Sequence, residues 1–283
     1  MILNSPSRIH SLLDPVRFMR YGTGPGGASG AAPNSAEAQA YFDRLVPYPT
    51  SAREAIFGAF VDALVTAGLD EVFDCLYVSC IDNQSNALTD VWRADRQAII
   101  FQATAGLVFT ADSGWSGGNV GHYIRSPFNP GTATSPRFTR NDAMVTIYVG
   151  STATVNQILL FQATDAAPQT PLTNIELYPR YGAGTTYVCV NGAEWSCSSG
   201  ADSSGLYVAQ RTGANASELF RNGVSLGTSA TASAAVQTGE IRFGFGAQTF
   251  RIMGAGKSMT APQIAAYQTA VETLVTAITG GLP

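Results

Sequence analysis

Residues 205–226 read GLYVAQRTGANASELFRNGVSL: two apolar-rich runs joined by a short Gly/Ala/Asn loop, the second turned back on itself by Asn222-Gly223. An Asn-Gly pair supplies the positive φ angles that a two-residue hairpin requires, so the stretch predicts antiparallel strands over 205–210 and 217–221. With that turn Arg221 faces Val224 and Leu219 faces Leu226. A second pair, Asn191-Gly192, repeats the signal after a strand over 186–190. Outward from these hairpins, further strands fall at short spacing over 72–80, 98–103, 107–110, 122–126, 143–149, 157–163, 174–179, 240–245 and 250–253. No helical periodicity separates them, which excludes a parallel βαβ sheet and predicts a mainly β fold, an antiparallel β-sandwich or jelly roll.

Two helices bracket the strands. Ser51 and Glu54 read as a capping box, and Ile56, Phe57, Phe60, Val61, Leu64 and Val65 recur at helical spacing until Gly68. At the other end Thr260 and Gln263 form the box, Ile264, Tyr267, Val271, Leu274, Val275 and Ile278 follow, and Gly280 stops the helix. Before the first helix, 21–35 reads YGTGPGGASGAAPNS, which has little apolar area to bury. Residues 1–50 therefore read as an arm and Gly/Pro-rich linker, and 51–283 as the sandwich. The arm carries Ile9, Leu12, Leu13, Phe18 and Met19 with Arg17 and Arg20, a mixture suited to docking on a partner.

Of 283 residues 45% are hydrophobic, enough for a sizeable core, while only 13% are charged, against about 25% in ordinary soluble domains. The net charge is -4, and Lys257 is the single lysine beside fifteen arginines, so the clustered cations of a nucleic-acid binder are missing. No apolar run reaches the ~18 residues of a membrane span. The start is broken by Pro6, Arg8 and His10 and does not read as a secretory signal. Neither nucleic acid nor membrane is expected as a partner.

The chemistry-bearing patterns are thin. Cys75, Cys80, Cys189 and Cys197 lack a Cys-x-x-Cys pair, and with only His10 and His122 beside them no metal site is expected. Cys75 and Cys80 point to opposite faces of one strand, and the Asn191-Gly192 turn sets Glu194 rather than Cys197 opposite Cys189. Free thiols are the expectation, with a bridge between the two groups left open. Gly114-Trp115-Ser116-Gly117-Gly118 matches Gly-x-Ser-x-Gly, but a turn and a strand follow where a nucleophile elbow needs a helix. Gly254-Ala255-Gly256-Lys257-Ser258 resembles the end of a phosphate loop, yet position 251 is Arg and the helix starts at Thr260. The glutamates show no Glu-x-Asp-x-x-Glu spacing of the kind that sandwich glucanases use. No catalytic residue and no cofactor are expected. Trp92, Trp115, Trp195, Tyr123 and Tyr181 fall near predicted loops or strand ends, where an exposed ring stacks on a sugar face; the other reading puts them in the core.

Four segments resemble a bacteriophage family with a concanavalin-like, laminin-G-like sandwich, found in tail, fibre and other virion surface proteins. They are Arg53-Glu54-Ala55-Ile56 through Ala67-Gly68-Leu69 to Asp74-Cys75-Leu76-Tyr77-Val78; Phe109 to Trp115 leading to Phe128-Asn129-Pro130; Arg211-Thr212-Gly213 with Leu219-Phe220-Arg221-Asn222-Gly223; and Met259 to Tyr267. Where the family has a Gly-Asp-Gly turn this chain has Ser116-Gly117-Gly118-Asn119, so no calcium site carries over. The resemblance implies a structural component displayed on a phage virion, in the tail, fibre or head decoration, joined by its arm to other virion proteins, homo-oligomeric and able to bind a host glycan. The alternatives it leaves are a polysaccharide depolymerase on the virion and an architectural cement protein without a ligand.

Overall fold

A computed structural model describes residues 34–102, 106–117, 122–151, 158–163, 172–181, 184–198, 200, 202–245 and 248–280. The arm residues Ile9, Leu12, Leu13, Arg17, Phe18, Met19 and Arg20 lie outside them. The elements run α1 (Ala36–Phe42), α2 (Ser51–Thr66), β1 (Phe73–Val78), β2 (Ile99–Gln102), β3 (Val108–Thr110), β4 (Gly114–Ser116), β5 (His122–Arg125), β6 (Ala143–Val149), β7 (Ile158–Ala163), β8 (Leu172–Tyr181), β9 (Thr185–Val190), β10 (Trp195–Ser198), β11 (Gly205–Gly213), β12 (Ala216–Arg221), β13 (Val224–Ser229), β14 (Glu240–Phe245), β15 (Phe250–Gly256) and α3 (Ala261–Thr279).

Two antiparallel sheets make the predicted sandwich. One has the order β13-β12-β11-β6-β15-β4-β3 with β1 also on β15; the other runs β10-β9-β8-β7-β14-β5-β2. The eight-stranded sheet is covered on both sides: β1 is buried along its whole length, and the Phe73 ring lies 5.4 Å from Tyr267 of α3. The glycines that resembled a phosphate loop are the end of β15, where Gly254 lets the Cys75 carbonyl approach and Gly256 lies against the Val72 carbonyl. The helices do not cover the seven-stranded sheet in this way. Its inner face, with Ile124, Leu160, Ile175, Leu177, Val188, Val190, Ile241 and Phe243, joins the main core; its outer face holds a separate small cluster of Tyr123, Phe161 and Ala163. Among the described residues no helix is long and apolar enough to cross a membrane.

Three expectations are corrected in detail. The sandwich does not start at residue 51: α1, capped by the Ser35 side chain accepting from Ala38 N–H at 3.1 Å, buries Ala38, Tyr41 and Phe42 in the same core, and Leu45 in the turn after it joins them. Those four positions have the i, i+3, i+4, i+7 spacing of one helix face. Ser51 is not the cap of α2; Thr50 is, and Glu54 instead accepts from Asn34 Nδ2 and the Tyr48 hydroxyl. In the late hairpin Asn222 and Gly223 take φ of 50° and 73°, and Arg221 faces Val224 as expected, but a bulge sets Leu219 opposite Gly227 rather than Leu226.

Arg211 ties the two sheets together at one end. Fully buried on β11, it donates from Nε to the Val190 carbonyl of β9 at 2.7 Å and from one terminal nitrogen to the Thr231 carbonyl at 3.0 Å. A buried carbonyl left without a donor costs about 1–3 kcal/mol. Arg211→Leu is therefore expected to lower the unfolding midpoint by about 10 °C, using about 2–4 °C per kcal/mol for a domain of this size. Calorimetry reads this directly, and a shift under 2 °C would show that the clamp carries little.

Candidate functional site

The aromatic residues singled out in the sequence part company in the fold. Trp115 is 1% exposed, its ring 5.1 Å from Phe109, and Tyr123 is 0% exposed, stacked on Phe101 at 4.9 Å and holding Arg242 by a 2.8 Å hydrogen bond to its hydroxyl. Neither ring is free to meet a sugar, which corrects their assignment as ligand-binding residues. Burial follows from strand geometry: Trp115 lies within β4, between β3 and β15, so its Gly/Ser neighbours mark a strand rather than an open loop. Trp92 and Trp195 are partly buried and pack against the main core. Tyr181 is different. It is 42% exposed, and its ring is 4.7 Å from Tyr187 and 5.8 Å from Tyr178.

This trio stands on the outer face of the seven-stranded sheet. Side chains alternate along a strand, so Ile175 and Leu177 of β8 and Val188 and Val190 of β9, all in the main core, force Glu176, Tyr178, Tyr187 and Cys189 outward. The register pairs Glu176 with Cys189 and Tyr178 with Tyr187, and a bulge before Tyr181 re-aims the end of β8. One step along the β9–β10 ladder from the Val188–Trp195 pair stand Cys189 and Glu194, the register the turn predicts. Two carboxylates, Glu176 and Glu194, thus flank Cys189 on one face, their backbones about 10 Å apart.

Their surroundings differ. Glu194 is exposed, whereas Glu176 is only 7% exposed. Burial, and after it the Glu194 charge, pushes the Glu176 carboxyl up to about 7. The Tyr178 hydroxyl is raised by burial and by both carboxylates, which places all three groups within electrostatic reach of one another. Cys189 is pushed up to about 12 by burial, and its Sγ donates to the Gly192 carbonyl at 2.9 Å, so it is a thiol rather than a nucleophile. Elsewhere on the same face charge is matched: Arg125 pairs with Glu240 at 2.7 Å. Neither Glu176 nor Glu194 has an ion pair among the described residues.

Sequence reasoning found Tyr181 and the Glu194–Cys189 register but missed Glu176, Tyr178 and Tyr187. The signal was the period-two pattern of residues 175–178, Ile-Glu-Leu-Tyr, with its polar and aromatic members on one side. Two other features offer less. An open groove of about 900 Å³ between α2 and α3 is lined by small residues such as Ala55, Ala59, Ala63 and Ala266, with no charged side chain. His122 is buried against Gly106, both ring nitrogens without a partner among the described residues. No group of three or more His, Cys, Asp or Glu among them is placed to hold a metal.

No family model matches the sequence, and no curated protein matches it. Solved structures do. The botulinum neurotoxin serotype D binding domain is similar at 10% identity and TM-score 0.51, covering 71% of this chain and 52% of that one. The receptor binding domain of botulinum neurotoxin D gives 10% and 0.51 over 72% of this chain and 54% of its own. A mosaic serotype C/D receptor binding domain gives 10% and 0.51 over 71% and 51%. The chain spans about half the length of each, and at such identity the likeness concerns the fold: a β-sandwich shared with β-rich binding domains. These neighbours are parts of bacterial toxins, not phage proteins, and they overturn the expectation of a structural role on a virion.

Glu176 gives a pH-dependent expectation. Its folded value near 7 exceeds the ordinary 4.5, so its burial costs little at pH 4, where it is largely protonated in both states; the cost grows as pH rises from 4.5 to about 7 and is constant above that. Glu176→Gln should therefore melt higher than the parent at pH 8, with the gap closing at pH 4. An equal gap at both values would show that ionisation is not its source.

Proposed function

We propose that this protein is a non-catalytic recognition module that binds a glycan on the outer face of the seven-stranded sheet, at Tyr178, Tyr181 and Tyr187. The observation that carries the reading is the exposure of Tyr181 within a three-ring cluster set beside Glu176 and Glu194. A tyrosine ring offers a flat apolar face to the C–H face of a pyranose and a hydroxyl to its rim, and the adjacent carboxylates accept from sugar hydroxyls. The rings sit on paired strands, so the surface is set before a ligand arrives and little ordering entropy is lost on binding.

A binding role, rather than an enzymatic one, is favoured by the chemistry at the face. Its thiol is protonated, and Glu176 has no acid or base partner at hydrogen-bond distance among the described residues. The likeness to receptor-binding domains supports the same class of role at the level of fold.

A glycan array probed with the purified protein tests the reading. Binding to at least one glycan class is expected, with Tyr181→Ala and Tyr187→Ala each weakening it about tenfold, the ~1.4 kcal/mol scale of one stacked ring. Trp115→Phe, a change inside the core, should leave affinity within about twofold. A silent array, or binding that survives loss of both tyrosines, would overturn the proposal.

A further inference from the structure

On the reading that the tyrosine face binds glycans, we infer that it selects sugars bearing a free amino group, the positively charged hexosamine class. The argument starts from charge balance. Along the outer face of the seven-stranded sheet, Arg125 is matched to Glu240, and Arg242 lies 3.9 Å from the same carboxylate. At the other end of the face Glu176 and Glu194 stand two strands apart across Cys189 without an ion pair among the described residues, and the cation on that stretch of β8, Arg180, has other partners.

Glu176 is more than nine-tenths buried, projects on the same face as Tyr178, and has neither a hydrogen bond nor an ion pair among the described residues. Leaving a carboxylate so placed is costly, and the cost is relieved either by taking up a proton or by receiving a cation. Its elevation to about 7 is the first remedy at work in the free protein. An ammonium group arriving between Glu176 and Glu194 supplies the second, and the carboxyl then ionises with the cation as its partner.

The rings beside it favour the same ligand. Tyr181 and Tyr187 meet at 65° and Tyr178 and Tyr181 at 88°, so their faces do not all turn one way but line a corner. Ring faces carry negative potential, and a cation set over them gains about 0.5–2 kcal/mol depending on desolvation. A hexosamine joins the two demands in one residue, presenting a C–H face for stacking and an ammonium for the carboxylates. An anionic sugar meets two carboxylates and is disfavoured by the same arrangement, which is a device for selectivity as much as for affinity.

Calorimetric titration at pH 7 with three tetrasaccharides tests the inference: the β-1,4-glucosamine tetramer, its fully N-acetylated counterpart, and a galacturonate tetramer. The glucosamine tetramer should bind at least tenfold tighter than the N-acetylated one, and the galacturonate tetramer weakest of the three. Glu194→Gln, an exposed change that leaves the core untouched, should reduce the amino preference several-fold, and 0.5 M salt should do the same to the parent protein. Equal binding of the amino and N-acetyl forms, or preference for the acidic sugar, overturns the inference and leaves the glycan reading standing. Failure of every glycan, here and on the array, overturns both.

Discussion

Ile175 and Leu177 of β8 and Val188 and Val190 of β9 are held in the core, and because side chains alternate across a strand, Glu176, Tyr178, Tyr187 and Cys189 are committed to the opposite face. A one-residue slip of β8 would bury Glu176 in the main core, and one of β9 would turn Tyr187 and Cys189 inward. The register is therefore held by hydrophobic burial, and the chemistry of the outer face is a consequence of it. The proposed binding groups sit on a paired lattice with core side chains beneath, which gives them fixed mutual positions.

The two sheets are treated differently by the rest of the chain. The eight-stranded sheet carries α3 on its outer side and keeps its central strand β6 buried at all positions but one. The outer face of the seven-stranded sheet is itself largely buried, with Tyr123, Phe161, Ala163, Arg242 and Cys189 at 0% exposure, and Tyr181 is the exposed ring at its β8–β9 end. Buried cations serve the framework: Arg211 binds carbonyls at the sheet ends, and Arg242 lies over Tyr123 with its guanidinium 4.8 Å from the ring centre. Several of the arginines thus organise the fold, while Glu176 and Glu194 are among the carboxylates that have no ion pair among the described residues.

Much of the fold was legible in the sequence because turns announce themselves locally. Asn222-Gly223 and Asn191-Gly192 fixed two hairpins, and apolar runs bounded by Gly and Asn located most strands to within a few residues. The bulge at Leu226 was not legible, since nothing local distinguishes an added residue from a regular ladder. α1 was hidden because its apolar spacing follows directly on a Gly/Ala-rich stretch that masks it. For the site, Tyr181 and the Glu194 register were readable from the turn, but the approach of Glu176 depends on the pairing of β8 with β9 across a bulge, a non-local fact. Trp115 misled because glycine and serine beside a large ring occur both in open loops and in closely packed short strands. The virion role rested on turn and cap motifs that specify a sandwich, and a sandwich serves many roles.

The central claim is electrostatic: Glu176 is a largely buried glutamate with no ion pair among the described residues. Carboxyl ¹³C NMR titration of Glu176, in the free protein and with saturating glucosamine tetramer, measures this directly. The account predicts a midpoint near 7 in the free protein and a clear fall when the amino sugar is bound. A midpoint at the ordinary carboxylate value in the free protein, unmoved by the ligand, would contradict it.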